Sequence, residues 1–273
     1  MATKTLKKTK PKGVLDKIVP LGQTSRYLTM LCYGKANTGK TVFSCTFPKP
    51  LLLIDIKEEG EDSVTDVEGG DIIHIDTWEE LEELYWEIRD GALKGKYKSL
   101  VLDQLTAMQS LGMAKIRKDN NQKPSEVFSQ RSWGRLSGLM QEWLYNFREL
   151  KKQKIHVCFN AHERLRESDA EDDDRIAPSV GSNLMSSVAS FVNGAVSVIG
   201  NTFIREDYDK KAKTTEYKYC MRLGPHAYYA TKIRRPVSAG PPPSVIINPS
   251  FEKIFRLTEG GDASIRKVHK VKR

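Results

Sequence analysis

The sequence predicts an α/β fold: a mostly parallel central sheet flanked by helices, with antiparallel edge strands added late in the chain. Three observations carry this expectation. Short apolar runs alternate with helical periodicity through the first 160 residues, which implies right-handed crossovers and a sheet covered on both faces. A glycine-containing turn follows the first apolar run and opens a helix. Two apolar runs far down the chain flank a charged turn, the pattern of a hairpin.

Taken in order, Tyr27 to Gly34 (YLTMLCYG) reads as a buried strand, followed by the turn and a short helix to about Phe47. Leu51 to Ile56 and Asp71 to Ile75 are strands, and Trp78 to Arg89 is a helix with an apolar face. Ser99 to Asp103 is a third buried run, after which a polar, basic stretch extends to about Arg131. In the long helix that follows, Trp133, Leu136, Leu139, Met140, Trp143, Leu144, Phe147 and Leu150 recur on one side of a 3.6-residue repeat and are expected to be core. Ile155 to Asn160 is another buried strand. Val192 to Arg205 and Glu216 to Leu223 form the hairpin around Asp209-Lys210-Lys211, and Pro241 to Pro243 lead to a last short element near Phe251 to Leu257.

Composition narrows the class. With 273 residues, 39% hydrophobic and 29% charged, the chain can bury a substantial core, so disorder throughout is excluded. No membrane-spanning helix is expected, and the start lacks a signal-type apolar stretch, so a soluble cytoplasmic protein with no membrane partner is expected. The four cysteines lie far apart without a CxxC pair and read as buried thiols. Net charge is +9, and its excess is localised. Lys4, Lys7, Lys8, Lys10 and Lys12 fall in residues 1–13, and Arg266, Lys267, Lys270, Lys272 and Arg273 end the chain, neither group with an acid beside it. The remaining 34 Lys and Arg nearly balance 35 Asp and Glu. Segments 1–13 and 259–273 are therefore expected to be basic, disordered tails that approach a polyanion, around a folded domain spanning 14–258.

Gly34-Lys35-Ala36-Asn37-Thr38-Gly39-Lys40-Thr41 matches GxxxxGK[ST] and falls between a buried strand and a helix, as a phosphate-binding P-loop requires. Its backbone N–H groups would face the phosphates of ATP, Lys40 would reach the β- and γ-phosphates, and the Thr41 hydroxyl would bind Mg²⁺. Asp103, ending SLVL, fits the second magnesium carboxylate; the residue after it is Gln104, not Glu. A carboxylate to polarise the attacking water could come from Glu58 or Glu59, which follow LLLID, and the alternative is that both are solvated loop acids. His162, after IHVCFNA, stands where a side chain could hydrogen-bond a γ-phosphate, or is an ordinary strand-end histidine. In Lys232-Ile233-Arg234-Arg235, strand alternation puts Lys232 and Arg234 on one face with Arg235 turned away, a spacing that suits a charge clamp on a neighbour's nucleotide. For nucleic acid, the candidates are Lys115, Arg117, Lys118, Lys123 and Arg131, with Phe128 and Trp133 nearby for base stacking.

Together these positions resemble the RecA-like ATPase core, and most closely the short phage nucleotide-binding ATPases associated with single-strand annealing and recombination. The resemblance spans about Tyr27 to Pro236. It implies a RecA-like P-loop NTPase, Lys40 and Thr41 on nucleotide and metal, Asp103 on metal, His162 as γ-phosphate sensor, and Lys232 with Arg234 acting on the adjacent subunit. The implied partners are single-stranded DNA, further copies of the chain in a ring or filament, and a single-stranded-DNA-binding protein, in the host cytoplasm. Two departures stand out. Lys57 occupies the position, two residues after Asp55, where RecA-like strands present a catalytic Glu, which points to slow turnover. The loop after His162, ERLRESDAEDDDR, carries seven acids against three arginines where DNA contacts would fall. A compact helicase or helicase loader, and a nucleotide-gated DNA-binding switch with little hydrolysis, are the alternatives. A GTPase would need NKxD, for which Asn160-Ala161-His162-Glu163 is no match.

Overall fold

The computed structural model describes residues 13, 14, 18, 20, 26–57, 60–166, 179–209 and 213–263. Six strands run parallel: β1 (Thr29–Gly34), β2 (Leu51–Asp55), β3 (Gly70–His74), β4 (Ser99–Asp103), β5 (His156–Arg166) and β7 (Val198–Asp209). Antiparallel to their neighbours are β6 (Ser179–Ser182), β8 (Thr214–Arg222), β9 (Lys232–Ile233) and β10 (Val245–Ile247). Across the sheet the order is β10-β8-β7-β1-β5-β4-β2-β3, with β6 on β5 and β9 on β7. The late antiparallel strands β8, β9 and β10 thus extend one edge, as expected, whereas β6 pairs with the extension of the interior strand β5.

Alternation along each strand sends successive side chains to opposite faces. Leu31, Tyr33, Leu52, Ile54, Leu100, Leu102, Val157 and Phe159 enter one core. It is roofed by α2 (Trp78–Arg89), α3 (Leu105–Asp119), α4 (Gln130–Glu149) and α5 (Ser186–Ala195). Met30, Cys32, Leu51, Leu53, Val101 and Cys158 enter the other, beneath α1 (Lys40–Ser44) and α6 (Phe251–Thr258). Local signals start these helices where they begin. Thr77 and Glu80 form a reciprocal capping box on α2, and the Ser129 and Ser250 hydroxyls accept backbone N–H bonds at the starts of α4 and α6.

Several expectations are corrected. The polar stretch after Asp103 contains α3, whose buried Leu105, Met108, Leu111, Gly112 and Ile116 follow a helical repeat diluted by Gln, Thr, Ser and Lys. The run Val192 to Arg205 is not one strand: Val188, Ala189 and Val192 bury one side of α5, and β7 begins only at Val198. The helix after the P-loop stops at Ser44, short of Phe47. In the α4 stripe six of the eight residues are buried, whereas Trp133 is 37% exposed and Leu139 half-buried. Residues 210–212 of the hairpin turn, and residues 1–12 and 264–273 of the basic tails, lie outside the described residues, whereas Glu259 to Gly261, expected in the C-terminal tail, close α6 with backbone hydrogen bonds. All four cysteines are free and buried, and burial pushes the Cys45 thiol up to about 11.

Candidate functional site

The register of the parallel strands assembles the site. Gly34, the last residue of β1, lies beside His162 on β5 and Thr202 on β7, and Asp55 lies beside Asp103 across β2 and β4. The chain leaves β1 through a loop that only certain residues can form. A Cβ on Gly34 would sit 2.3 Å from Thr202 Oγ1 and 2.5 Å from the Thr202 carbonyl oxygen. Asn37 and Gly39 adopt left-handed conformations, φ 61° and 80°, the region open to Gly and tolerated by Asn. The Thr38 hydroxyl links the Lys35 carbonyl at 2.8 Å with the Thr202 hydroxyl at 2.7 Å and fastens the loop to β7.

Lys40 is buried, and its ammonium donates to the Lys35 carbonyl at 2.8 Å and the Gly34 carbonyl at 3.4 Å, on the concave side of the loop. Thr41 Oγ1 donates to Asp103 Oδ2 at 2.5 Å, which unites the start of α1 with the end of β4. Burial pushes the Asp103 carboxyl above its ordinary value, against the pull of its hydrogen bonds from Thr41 and Asn160 and of the Lys40 charge. Asn160, fully buried in β5, also donates to Ser44 Oγ at 2.8 Å, so the carboxylate is braced from below. Gln104, 1% exposed, places Nε2 2.6 Å from His162 Nε2, and its Oε1 has no hydrogen-bond partner.

These groups surround a cleft of about 210 Å³ that Lys40, Thr41, Gly60, Asp103, Gln104 and His162 line. A second cavity of about 410 Å³ shares Gly39 and Val42 with it and extends to Tyr219, Asn248 and Pro249. The residues fit a hard, oxygen-liganded cation: a hydroxyl and a carboxylate converge in a buried cleft beside the phosphate loop, and Thr41 with Asp103 would hold Mg²⁺ there.

Of the predicted site residues, the structure brings together the P-loop from Gly34 to Thr41, Asp103 and His162. His162 is not at a strand end, however: β5 continues to Arg166 and pairs with β6. Glu58 and Glu59 lie outside the described residues; the chain enters that segment at Lys57 and leaves it at Gly60, where a Cβ would lie 3.6 Å from Asp103 Oδ2. Lys232 and Arg234 do share a face, as alternation predicts. Both reach the end of α5, Lys232 donating to the Asn193 carbonyl at 2.6 Å and Arg234 to Gly194 at 2.9 Å. Their strand pairs with the start of β7, at the end of the sheet opposite the P-loop, so neither meets the phosphates of its own chain.

The basic segment from Lys115 to Arg131 is largely self-neutralised. Lys115 and Lys118 approach Glu79 at 3.7 and 3.2 Å, and Arg117 donates to the Lys123 and Glu126 carbonyls and covers the Phe128 ring. Phe128 is buried and packs edge-on against Trp133, which corrects its expected availability for stacking on bases. Lys123 and Arg131 are exposed. Gln104 and Asn160 are the site residues that sequence reasoning missed. Gln104 directly follows the magnesium carboxylate, whereas Asn160 carries no spacing signal and joins the site through strand register.

A parallel sheet, a glycine loop bearing Lys40 and Thr41 at the end of a central strand, and a carboxylate delivered by the second strand along define a P-loop nucleoside triphosphatase. The family model of the AAA domain matches residues 26–235, and the chain belongs to that family of ATPase domains. Nucleotide binding and hydrolysis are the chemistry of this class. No curated protein matches the chain. Among the described residues, no helix is long and apolar enough to cross a membrane.

Proposed function

We propose that the chain is an ATP-hydrolysing, single-stranded-DNA-binding recombination protein of the kind phages encode, assembling with further copies on DNA to promote annealing or strand exchange. The observation that carries its ATPase half is the convergence of Lys40, Thr41 and Asp103 on one cleft with Gln104 and His162 at its far wall. Lys40 would neutralise the β- and γ-phosphates, Thr41 and Asp103 would hold Mg²⁺, and the magnesium would draw off charge developing on the phosphate oxygens. The unpartnered Gln104 Oε1 is an acceptor for a water at the γ-phosphate end, and His162 ties the position of Gln104 to β5. Glu58 or Glu59 supplies the base if either does.

A second reading, a nucleotide-gated switch with little hydrolysis, is favoured by two features: Lys57 stands where a catalytic Glu would follow β2, and Gln104, not Glu, follows Asp103. ATP turnover measured with and without single-stranded DNA separates the two. Slow hydrolysis accelerated by DNA is expected; tight ATP binding with no turnover in either condition supports the switch.

A further inference from the structure

At the end of the sheet opposite the P-loop lies a concave site of about 530 Å³, larger than either cavity beside the nucleotide loop. Segments next to the sheet's starting edge build it: Arg26 leads into β1, Lys151 and Lys152 precede β5, and Arg234 and Arg235 follow β9. We propose that this basic cavity docks single-stranded nucleic acid, its lysines and arginines taking the phosphates and its aromatic wall taking a base. The proposal rests on the reading that the protein binds single strands, and it places that binding away from both the P-loop and the Lys115 to Arg131 segment.

Charge is the first argument. Five cations face one cavity, and the acid beside them, Glu149, is shared by Arg148 at 2.6 Å, Lys151 at 3.8 Å and Lys152, so one carboxylate serves three cations and positive charge remains in excess. Burial holds the Lys151 ammonium below its ordinary value, and the charges of Arg148 and Arg234 push it further down. Arg235 donates to the Ala239 carbonyl at 2.9 Å, yet its Nε is buried without a partner. Glu149 offsets part of this crowding, and a phosphate chain would relieve the rest.

Shape and chain path are the second and third. Tyr27 and Phe255, both half-buried, form an apolar wall beside the cations, the combination of charge and ring faces that suits single strands regardless of sequence. Two contacts between the flanks of the fold also lie here. Arg26 donates to the Thr258 carbonyl at the end of α6, and the Gly261 carbonyl accepts from Arg235, so the chain enters and leaves the fold on the rim of this cavity.

The test is fluorescence anisotropy of a labelled oligothymidylate of about 30 nucleotides with the full chain. The triple variant Arg26→Ala/Lys151→Ala/Lys152→Ala is compared with Lys115→Ala/Lys118→Ala, melting midpoints confirming that both fold and sedimentation recording self-association without DNA. Removing three phosphate ligands should weaken binding at least about tenfold near 0.1 M salt and lower the slope of log K against log salt by about 2, with the control double variant near the parent. Unchanged binding by the triple variant overturns the cavity assignment while leaving single-strand binding intact. No binding by the parent at low salt overturns both. If the triple variant instead loses self-association, the cavity receives the acidic segment of a second copy, and the nucleic-acid proposal is wrong. Should the triple variant fail to fold, Lys152→Ala alone, whose side chain is 72% exposed, must lower the slope by about 0.7 or the proposal fails.

Discussion

Lys40 is a buried cation held by carbonyls of its own loop, so its truncation removes a phosphate ligand without removing an apolar contact. Lys40→Ala should abolish binding of a fluorescent ATP analogue while the circular dichroism spectrum stays that of the parent; retained affinity would take the P-loop out of the site. Gly34→Ala differs in kind, because its methyl meets Thr202 at 2.3 Å and the obstacle includes backbone. Urea unfolding should show a loss of about 2 kcal/mol, and an unchanged midpoint would mean the loop moves aside freely. His156 supplies a pH dependence. Leu28 N–H donates to its Nδ1 at 2.9 Å, and burial lowers the imidazole from 6.5 to about 4. Between those values the unfolded chain binds a proton that the folded chain refuses, so stability present above pH 6.5 is lost as pH falls through the window. The melting midpoint should fall there by on the order of 5 °C more in the parent than in His156→Gln, whose amide oxygen can still accept from Leu28.

Helix α5 ends without basic residues of its own in its last turn, and Lys232 in β9 and Arg234 just after it supply that charge. Arg234→Ala should therefore cost about 0.5 to 1 kcal/mol in thermal unfolding, as removal of a cation from a helix C-terminus does. If Arg234 also acts on a neighbouring copy's nucleotide, Arg234→Ala binds ATP but does not hydrolyse it, and mixing it with Lys40→Ala restores part of the activity. Co-assembled mixtures that stay inactive confine Arg234 to the helix end. The same residues show what the chain discloses at this scale. Period-two alternation placed Lys232 and Arg234 on one face correctly, and the apolar runs located β1, β2 and β4 within two residues of their ends. Helix α3 escaped because its stripe is interrupted by Gln, Ser and Lys, and α5 because valines that suit strands equally well bury its face. The P-loop and Asp103 were readable because their spacing is local to a strand and its turn. Asn160 and the Gln104 contact to His162 were not, since strand order decides which residues meet across a sheet.

At the scale of the molecule, charge is the property most unevenly distributed. Deleting residues 1–12 and 266–273 removes ten cations and no acids. Affinity for single-stranded DNA should fall, and the slope of log K against log salt should shallow by about 0.7 for each phosphate left without its cation; an unchanged slope would show that the termini do not touch nucleic acid. The parallel strands that carry the P-loop at one end carry the basic cavity at the other. From Leu28 to Gly34 is six residue steps, about 20 Å at 3.3 Å per residue. Ions in physiological solution screen solvent-facing charges over about 8 Å, so the exposed charges at the two ends interact weakly through water. What joins the ends is a set of stiff rods, β1, β5 and β7, locked to one another along their length by backbone hydrogen bonds. A displacement of Gly34 or His162 by a nucleotide would have a rigid, hydrogen-bonded path lengthwise to Leu28 and His156, the mechanical link that these strands offer between the two ends.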